Sequence, residues 1–258
     1  MNRTIKIGNK IIGDNQPAFI IAEIGLNHNG KLELAKKMVK AAKESGADAV
    51  KFQKRDLKSL YKKDVYENPN KDSQSTSYLF GIFKKFELSK KDFIELKKYC
   101  EHLGIIFFCT PFDIKSAEFL SHLDVPVYKI SSADLTNIPL IDFIISKKKP
   151  LILSTGMSQI PEIDFTYKFL KKKKADFSFM HCVSTYPTAF KDVNLKMIEF
   201  LKNRYRVPIG YSGHERGIII AIGATTLGAK IIEKHFTLNR SWDGPAHNIS
   251  LTPSGFKK

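Results

Sequence analysis

Seven short apolar runs in the sequence each end on a polar side chain that could take part in chemistry. The end residues are Glu23, Gln53, Thr110, Lys129, Ser154, His181 and His235. An eighth run, VPIGY, fits the pattern less cleanly and comes just before Ser212 and His214. Because the parallel strands of a barrel bring their carboxyl ends to one face, we expect these residues to share one cleft. Such a cleft could bind a metal ion and an anion together.

Two histidines follow the last two predicted strands and are the candidate metal ligands. His214 and His235 would be neighbours at one end of a barrel. Two imidazoles could bind one divalent cation, with water or substrate oxygens completing its coordination shell. The alternative is that each histidine is a hydrogen-bonded core or rim residue. Their positions at neighbouring strand ends, beside other polar residues, favour the metal site.

Two lysines are predicted to point into the barrel. Lys51 and Gln53 share one face of their strand because strand side chains alternate, and Lys129 is placed similarly on a later strand. Burying a lysine is costly unless the ammonium group meets an anion. With hydroxyl groups nearby, two such cations suit a phosphate and a carboxylate. The alternative is a pair of structural ion pairs, one of them between Lys51 and Glu23.

Glu23 is the candidate acid–base residue. We expect the lysines and a metal to lower its pKa, leaving a carboxylate that can accept a proton or hold a water molecule. A purely structural ion pair is the competing interpretation. Cys109 and Cys182 fall within predicted strands and are expected to be inert core residues.

The elements needed to position these residues alternate regularly along the chain. Residues 3–17 predict a β-hairpin that could plug the bottom of a barrel, and eight strands with intervening helices follow. This alternation predicts right-handed βαβ units and a parallel sheet, which with eight strands closes into a (β/α)₈ TIM barrel. A long polar stretch, 54–88, is expected to be a functional loop or lid. We treat 1–258 as a single domain that stops before an eighth helix, with Ser254 as a candidate N-cap of its first turn.

Composition and charge narrow the function class. The chain has 258 residues and a net charge of +16, but its lysines are spread along predicted helices and no nucleic-acid-binding motif accompanies them. Attraction of anionic substrates explains the positive charge more simply. No apolar stretch approaches a membrane span, and three cysteines without CxxC spacing fit a reducing cytoplasm. We therefore expect no nucleic-acid or membrane partner.

The chain resembles the sialic acid synthase family, which includes synthases for N-acetylneuraminic, legionaminic and pseudaminic acids. The matching segments include IIAEIGLNHNG, DAVKFQ, FFCTPFD, VPVYKISSADLTNIPL, KPLILSTGM, HCVSTYP, VPIGYSGH and GAKIIEKHFTL. They occur in order over nearly the whole chain, from about residue 19 to 253. The resemblance implies a TIM barrel that condenses phosphoenolpyruvate with an N-acetylhexosamine aldehyde. It also implies a divalent cation, with Mn²⁺ favoured and Mg²⁺ or Co²⁺ as alternatives.

The same resemblance assigns roles to individual residues. It implies that His214 and His235 bind the metal, and that Glu23 positions the attacking water or handles protons. The implied phosphoenolpyruvate site comprises Lys51, Thr110, Lys129, Ser132, Ser154 and Ser212, with Ser184 at a position where the family has asparagine. The implied sugar contacts are Gln53, Asp134 and Tyr186.

Two departures from the family pattern leave alternatives open. Ala246 stands where many members have an aspartate that contacts the sugar, and the sequence does not include the family's C-terminal antifreeze-like domain. We therefore expect a homodimer or a complementing C-terminal polypeptide. The alternatives are a degenerate or truncated barrel that only binds a ligand or partner, or a phosphoenolpyruvate-dependent sugar-acid synthase with a different acceptor.

Overall fold

The computed structural model describes residues 4–258, and position 3 of the predicted hairpin lies outside the described residues. The chain begins with an antiparallel hairpin made of β1 (Ile5–Ile7) and β2 (Lys10–Ile12). Eight parallel strands then form a closed barrel. These are β3 (Phe19–Gly25), β4 (Ala49–Lys54), β5 (Ile106–Pro111), β6 (Tyr128–Ile130), β7 (Leu151–Ser154), β8 (Phe177–Cys182), β9 (Ile209–Gly213) and β10 (Ile231–His235). The predicted (β/α)₈ barrel and its hairpin are confirmed.

The barrel closes between its last and first strands. Ile231 pairs with Phe19 and His235 pairs with Glu23, in a continuous parallel register. The register brings the carboxyl ends of β10 and β3 level with one another. The predicted metal ligand on β10 therefore lies beside the predicted acid–base residue on β3.

Helices connect the strands along the outside. They are α1 (Leu32–Glu44), α2 (Leu57–Leu60), α3 (Lys63–Glu67), α4 (Gln74–Phe86), α5 (Lys90–Leu103), α6 (Ile114–His122), α7 (Ile138–Ile145), α8 (Ile160–Lys172), α9 (Lys196–Tyr205), α10 (Ile219–Thr226) and α11 (Pro253–Phe256). Local chemistry sets their limits: α5 begins at a capping box between Ser89 and Asp92 and ends at Gly104, whose φ of 64° suits glycine. None of the helices among residues 4–258 has the length and apolar character needed to cross a membrane.

The long stretch from 54 to 88 is more ordered than a loop. It contains α2, α3 and α4, and α4 has Ser73 as its N-cap, whose hydroxyl accepts a hydrogen bond from the Thr76 amide at 3.2 Å. Phe80 and Phe86 anchor one side of α4 in buried positions. The prediction of a loop is therefore wrong in detail, because the Ser/Thr cluster acts as a helix cap.

The hairpin lies against the amino ends of the barrel strands. Ile5, Ile7 and Ile12 belong to the main apolar core. Lys10 forms an ion pair at 3.0 Å with Asp48, the residue that precedes β4. The opposite end of the barrel is therefore the end left for polar chemistry.

The chain after β10 forms a short helical turn. Its first residue is Pro253, so Thr252 occupies the N-cap position and the expected cap at Ser254 is wrong. A proline at the first helical position is favoured because its missing N–H needs no partner there. Phe256 packs edge-on against Phe236 with ring centroids 5.4 Å apart, which fixes this turn beside the last strand.

A charged cleft at the carboxyl end of the barrel

A cleft of about 520 Å³ opens at the carboxyl end of the barrel. All of the predicted site residues except Asp134 line it. These lining residues are Glu23, Lys51, Gln53, Thr110, Lys129, Ser132, Ser154, Ser184, Tyr186, Ser212, His214 and His235. They come from strands spread over most of the chain, so only closure of the barrel brings them together.

Two lysines form the cationic floor of the cleft. Lys51 and Lys129 are only 4% and 3% exposed. Lys51 Nζ lies 3.0 Å from Glu23 Oε2 and donates to Thr110 Oγ1 at 3.0 Å. Lys129 Nζ donates to Ser154 Oγ at 2.6 Å. The Lys51–Glu23 ion pair considered from the sequence is therefore present, and it lies within the cleft.

Glu233 links the two lysines. Its Oε1 lies 3.7 Å from Lys51 Nζ and 3.9 Å from Lys129 Nζ, and it accepts a hydrogen bond from Ser212 Oγ at 3.0 Å. At these distances both lysines retain donor capacity for another anion. The floor can therefore accept an anionic ligand without losing its internal support.

The two carboxylates of the floor have opposite pKa shifts. Burial raises the pKa of Glu23, because Lys51 offsets only part of the desolvation and Glu233 adds repulsion. Burial also disfavours the charged form of Glu233, but Lys129 and Lys51 outweigh it and lower its pKa. Our expectation of a lowered Glu23 pKa is wrong, because desolvation exceeds the attraction of the lysine. Glu23 is thus suited to carry a proton while Glu233 stays ionised.

The lysines also differ from one another. Burial lowers the pKa of Lys129, and its one nearby carboxylate does not fully compensate. For Lys51, burial is outweighed by Glu23 and Glu233, so its pKa is raised. The charge of Lys129 is thus less fully compensated by carboxylates than that of Lys51, so a bound anion would stabilise Lys129 more.

His214 and His235 stand together on one wall of the cleft. Their ring centroids are 5.7 Å apart, and Tyr186 stacks on His214 at 4.0 Å. The Val183 carbonyl accepts from His214 Nδ1 at 2.7 Å, which leaves Nε2 as an acceptor, 3.0 Å from the Tyr186 hydroxyl. Burial lowers the pKa of both imidazoles, to about 4 for His214. Neutral imidazole is the form that binds a metal.

The residues present fit a metal ion only in part. The buried Nδ1 of His235 has no hydrogen-bond partner, which is the mark of a nitrogen available to a ligand. Within residues 4–258, no set of three or more His, Cys, Asp or Glu side chains is arranged to hold a metal. A cation at this wall would therefore depend on two imidazoles, with water and substrate oxygens as the other ligands.

The upper part of the cleft is formed by the mouth of β4 and by α4. Gln53 donates to Glu23 Oε1 at 2.9 Å and accepts from Arg55 Nη2 at 2.8 Å. The Arg55 guanidinium lies between the rings of Phe83 and Phe112, 4.0 and 3.7 Å from their centroids. α4 therefore contributes an apolar cover over a polar interior.

Two polar residues expected near the chemistry lie elsewhere. Asp134 does not line the cleft, because its carboxylate accepts from Ser131 Oγ at 2.6 Å and from Asn137 Nδ2 at 3.1 Å. His181, at the end of the sixth predicted strand, is bonded through Nε2 to the Val193 carbonyl at 2.6 Å and does not line the cleft either. The next residue, Cys182, points to the opposite face of the strand and lines the cleft.

Glu233, Arg55 and Cys182 are among the cleft residues that were not predicted site residues. Glu233 lies two positions before His235, and Arg55 two positions after Gln53, so strand alternation carried the signal for both. Cys182 was expected to be an inert core residue, yet it lines the cleft with Sγ 3.1 Å from Ser132 Oγ. The prediction followed the last polar residue of each run and so overlooked the cleft-facing positions before or after it.

Comparisons with known proteins identify the family and support the fold. A family model described as the NeuB family matches residues 38–258. Human N-acetylneuraminate-9-phosphate synthase is 41% identical over 94% of this chain and 68% of its own length. The N,N'-diacetyllegionaminic acid synthase of Legionella pneumophila is 43% identical over 99% of this chain and 74% of its own. The crystal structure of the Leptospira borgpetersenii N-acetylneuraminic acid synthetase in complex with citrate superposes with a TM-score of 0.90. It is 38% identical and covers 100% of this chain and 86% of that one.

Proposed function

The chain belongs to the NeuB family, and from that premise we propose that it condenses phosphoenolpyruvate with an N-acetylated hexose aldehyde. The products are a nine-carbon 2-keto sugar acid of the sialic acid type and inorganic phosphate. The observation that carries the proposal is the cationic floor. Lys51 and Lys129 are buried beside one another at the bottom of a cleft large enough for two small substrates.

The donor is proposed to bind on this floor. Phosphoenolpyruvate carries a phosphate and a carboxylate, and two buried ammonium groups beside hydroxyls provide charge-assisted hydrogen bonds to both. Ser154 Oγ already accepts a hydrogen bond from Lys129 Nζ at 2.6 Å, and Thr110 Oγ1 accepts one from Lys51 Nζ at 3.0 Å. Because the charge of Lys129 is only partly neutralised, Lys129 would form the stronger interaction with the bound anion.

The acceptor is proposed to bind between the floor and the histidine wall. His214 and His235 would hold the divalent cation, for which Mn²⁺ is our first choice and Mg²⁺ or Co²⁺ the alternatives. When bound, that ion would supply Lewis-acid polarisation of an aldehyde. Tyr186 stacks on His214 and covers one face of its ring, so the acceptor would not contact that face. Holding both substrates in one orientation supplies much of the rate.

The carboxylates divide the proton chemistry between them. Carbon 3 of phosphoenolpyruvate bonds to the aldehyde carbon, whose oxygen gains a proton. Water adds at carbon 2, and the bond from carbon 2 to the phosphate oxygen breaks to release phosphate. Glu23, whose pKa is raised by burial, can carry a proton to or from these oxygens. Glu233 stays anionic between the lysines and can stabilise positive charge that develops at carbon 2.

Phosphate release is the direct test of this reaction. The purified chain is incubated with phosphoenolpyruvate, Mn²⁺ and a panel of N-acetylated hexoses, and phosphate and 2-keto acid are measured together. The proposal predicts equal amounts of both, dependent on acceptor and cation. Tight binding of phosphoenolpyruvate without phosphate release for any acceptor would favour the ligand-binding barrel instead.

Location and assembly are part of the same proposal. The three cysteines are buried as free thiols, which suits a reducing cytoplasm. A homodimer is proposed from the family resemblance, and light scattering on the eluting peak of a sizing column measures its mass. A monomer at working enzyme concentrations would contradict the dimer without affecting the proposed chemistry.

A further inference from the structure

Arg55 is a buried cation of the cleft that the proposed chemistry does not use. Its side chain is 5% exposed and lines the cleft. Nη2 donates to Gln53 Oε1 at 2.8 Å, whereas the buried Nη1 has no hydrogen-bond partner. An unpaired guanidinium nitrogen in such a position is costly unless a ligand satisfies it.

No carboxylate among residues 4–258 forms an ion pair with Arg55. Glu87, the carboxylate whose charge acts most strongly on Arg55, is ion-paired with Lys54 and accepts a hydrogen bond only from the backbone amide of Arg55, at 3.5 Å. Burial accordingly lowers the pKa of Arg55 to about 10, but the side chain stays charged under ordinary conditions. Arg55 therefore lines the cleft with a charge that no ion pair among the described residues neutralises.

The position of Arg55 separates it from the donor site. Lys51, Gln53 and Arg55 alternate along β4 and its extension, so the Arg55 backbone lies roughly 13 Å above that of Lys51. The lysines lie at the floor of the cleft, and Arg55 lies near its mouth. An acceptor whose aldehyde lies near the floor extends upward, and its far end reaches this level.

The two aromatic rings fix the guanidinium in place. Phe83 from α4 and Phe112 after β5 hold it from both sides, 4.0 and 3.7 Å from the ring centroids. Such stacking fixes a planar donor and leaves only its edge free for hydrogen bonds. A planar edge with free N–H groups matches the oxygens of a phosphate or carboxylate.

We infer that the acceptor of this chain carries an anionic group at the end remote from its aldehyde, and that Arg55 binds that group. The inference rests on the proposed condensation, because it names the class of acceptor for the same cleft. It makes Arg55 a specificity-determining residue that favours a sugar phosphate or a sugar carboxylate over a neutral sugar. Ala246, which also lines the cleft, brings no competing charge to it.

The test compares three acceptors on three forms of the protein. The acceptors are N-acetylmannosamine, its 6-phosphate and the corresponding uronic acid, each with phosphoenolpyruvate and Mn²⁺. The proteins are the unaltered chain, Arg55→Met and Arg55→Lys. We expect Arg55→Met to lower kcat/KM for the anionic acceptor by about 10- to 100-fold, the strength of a charge-assisted hydrogen bond. The loss for the neutral acceptor should be much smaller, because only the contact of Arg55 with Gln53 bears on it. The KM for phosphoenolpyruvate should not change, and the phosphate and uronate arms identify the anion.

Lys85→Met is the matched control, because it removes an exposed cation from the helix that supplies Phe83. It should leave the preference between acceptors unaltered. If Arg55→Met does not fold, Arg55→Lys keeps the charge but loses the planar edge, and an intermediate loss confined to the anionic acceptor is expected. Equal loss with neutral and anionic acceptors would overturn the inference, as would a raised KM for phosphoenolpyruvate.

A binding measurement separates this inference from the proposed reaction. Calorimetry with N-acetylmannosamine 6-phosphate alone, without donor, should show binding by the unaltered chain and a loss with Arg55→Met. Binding of that kind without any turnover would contradict the condensation but keep the anion site. Turnover of the neutral sugar alone, with no binding of the phosphate or uronate, would keep the condensation and refute the anion site.

Discussion

The two ends of the barrel are built from the same eight strands, but the side chains that point inward differ between them. The layer near the amino ends is apolar, and the layer near the carboxyl ends is polar and charged. On the cleft-facing side of several strands, an apolar residue stands two positions before the first polar one. Examples are Ile21 before Glu23, Val127 before Lys129, Ile152 before Ser154, and Ile231 before Glu233. The lower layer supplies packing, and the upper layer holds buried charge that packing alone does not satisfy.

This difference shows how a barrel can carry uncompensated charge. The apolar layer and the hairpin beneath it exclude water from below, so the lysines of the cleft meet low-dielectric surroundings on that side. Their interactions with Glu23, Glu233 and an incoming anion are strengthened for the same reason. The comparison predicts that substitutions in the upper layer change chemistry and can also lower stability, whereas those in the lower layer change stability alone.

The largest effect is expected at the cleft floor. Lys129→Met should lower kcat by about 10²–10³-fold, the usual result of removing one charged donor from a preorganised site. It should also reduce the free energy of unfolding by about 3 kcal/mol, because a buried carboxylate loses a partner. Steady-state kinetics and urea unfolding measure the two effects.

Ile152→Val is the matched control for this prediction. Ile152 pairs in register with Lys129 but belongs to the apolar layer. Its truncation should cost about 1 kcal/mol of stability and leave kcat unchanged. If the two variants lost activity to a similar degree, the two layers would not be functionally distinct.

The next effect concerns the histidine wall. His235→Ala should weaken Mn²⁺ binding by about 10²-fold or more. Substituting a residue that only hydrogen-bonds to a metal ligand already lowers metal affinity by about 10- to 100-fold. Calorimetry measures the affinity, and circular dichroism checks that the fold is retained. His181→Gln, which alters a buried histidine outside the cleft, should bind Mn²⁺ normally. Unchanged affinity in His235→Ala would remove that residue from the ligand set.

Acid stability offers a further test, away from the cleft floor. Burial lowers the pKa of His28 from 6.5 to about 4. The unfolded chain therefore binds this proton more readily, so the folded state is fully favoured above pH 6.5 and loses stability as pH falls toward 4. The loss from this residue should reach about 3 kcal/mol. Unfolding of the parent and of His28→Asn across this range should show a shallower dependence for the variant, and parallel curves would contradict the assignment.

The smallest effect is expected in the apolar layer itself. A Cβ on Gly210 would lie 2.8 Å from both Cβ and O of Ile231 and 3.0 Å from Met180 Cε. Gly210→Ala should therefore cost about 1–3 kcal/mol through overpacking. Gly81→Ala on α4 has open space around it and should instead stabilise the protein by about 0.5–1 kcal/mol. Thermal unfolding ranks the two, and equal effects would mean that the layer tolerates added volume.

Much of the architecture could be predicted from the sequence because its signals are local. Apolar runs with polar ends located the strands, and regular alternation with helices fixed the barrel. Helix limits were harder to place: nothing in the sequence marks an N-cap for α10, which starts at Ile219. The helices between 54 and 88 were missed, although Leu79, Ile82, Phe83 and Phe86 follow the helical spacing that could have revealed α4.

The site was predictable to the extent that it follows strand ends. The balance of charge was not, because it depends on distances between strands far apart in the sequence. The direction of the Glu23 pKa shift follows from burial and from Glu233, which lies 210 positions along the chain. The unpaired state of Arg55 similarly depends on Lys54 occupying Glu87. Such competition between partners is visible only once the side chains are placed.

A crystal structure of the chain with phosphoenolpyruvate and Mn²⁺ tests the central claim most directly. The account predicts phosphoenolpyruvate on the cleft floor, with its phosphate or carboxylate oxygens within hydrogen-bond distance of the Nζ atoms of Lys51 and Lys129. It also predicts the cation beside His214 and His235. Phosphoenolpyruvate bound elsewhere, with none of its oxygens in contact with Lys51 or Lys129, would contradict it.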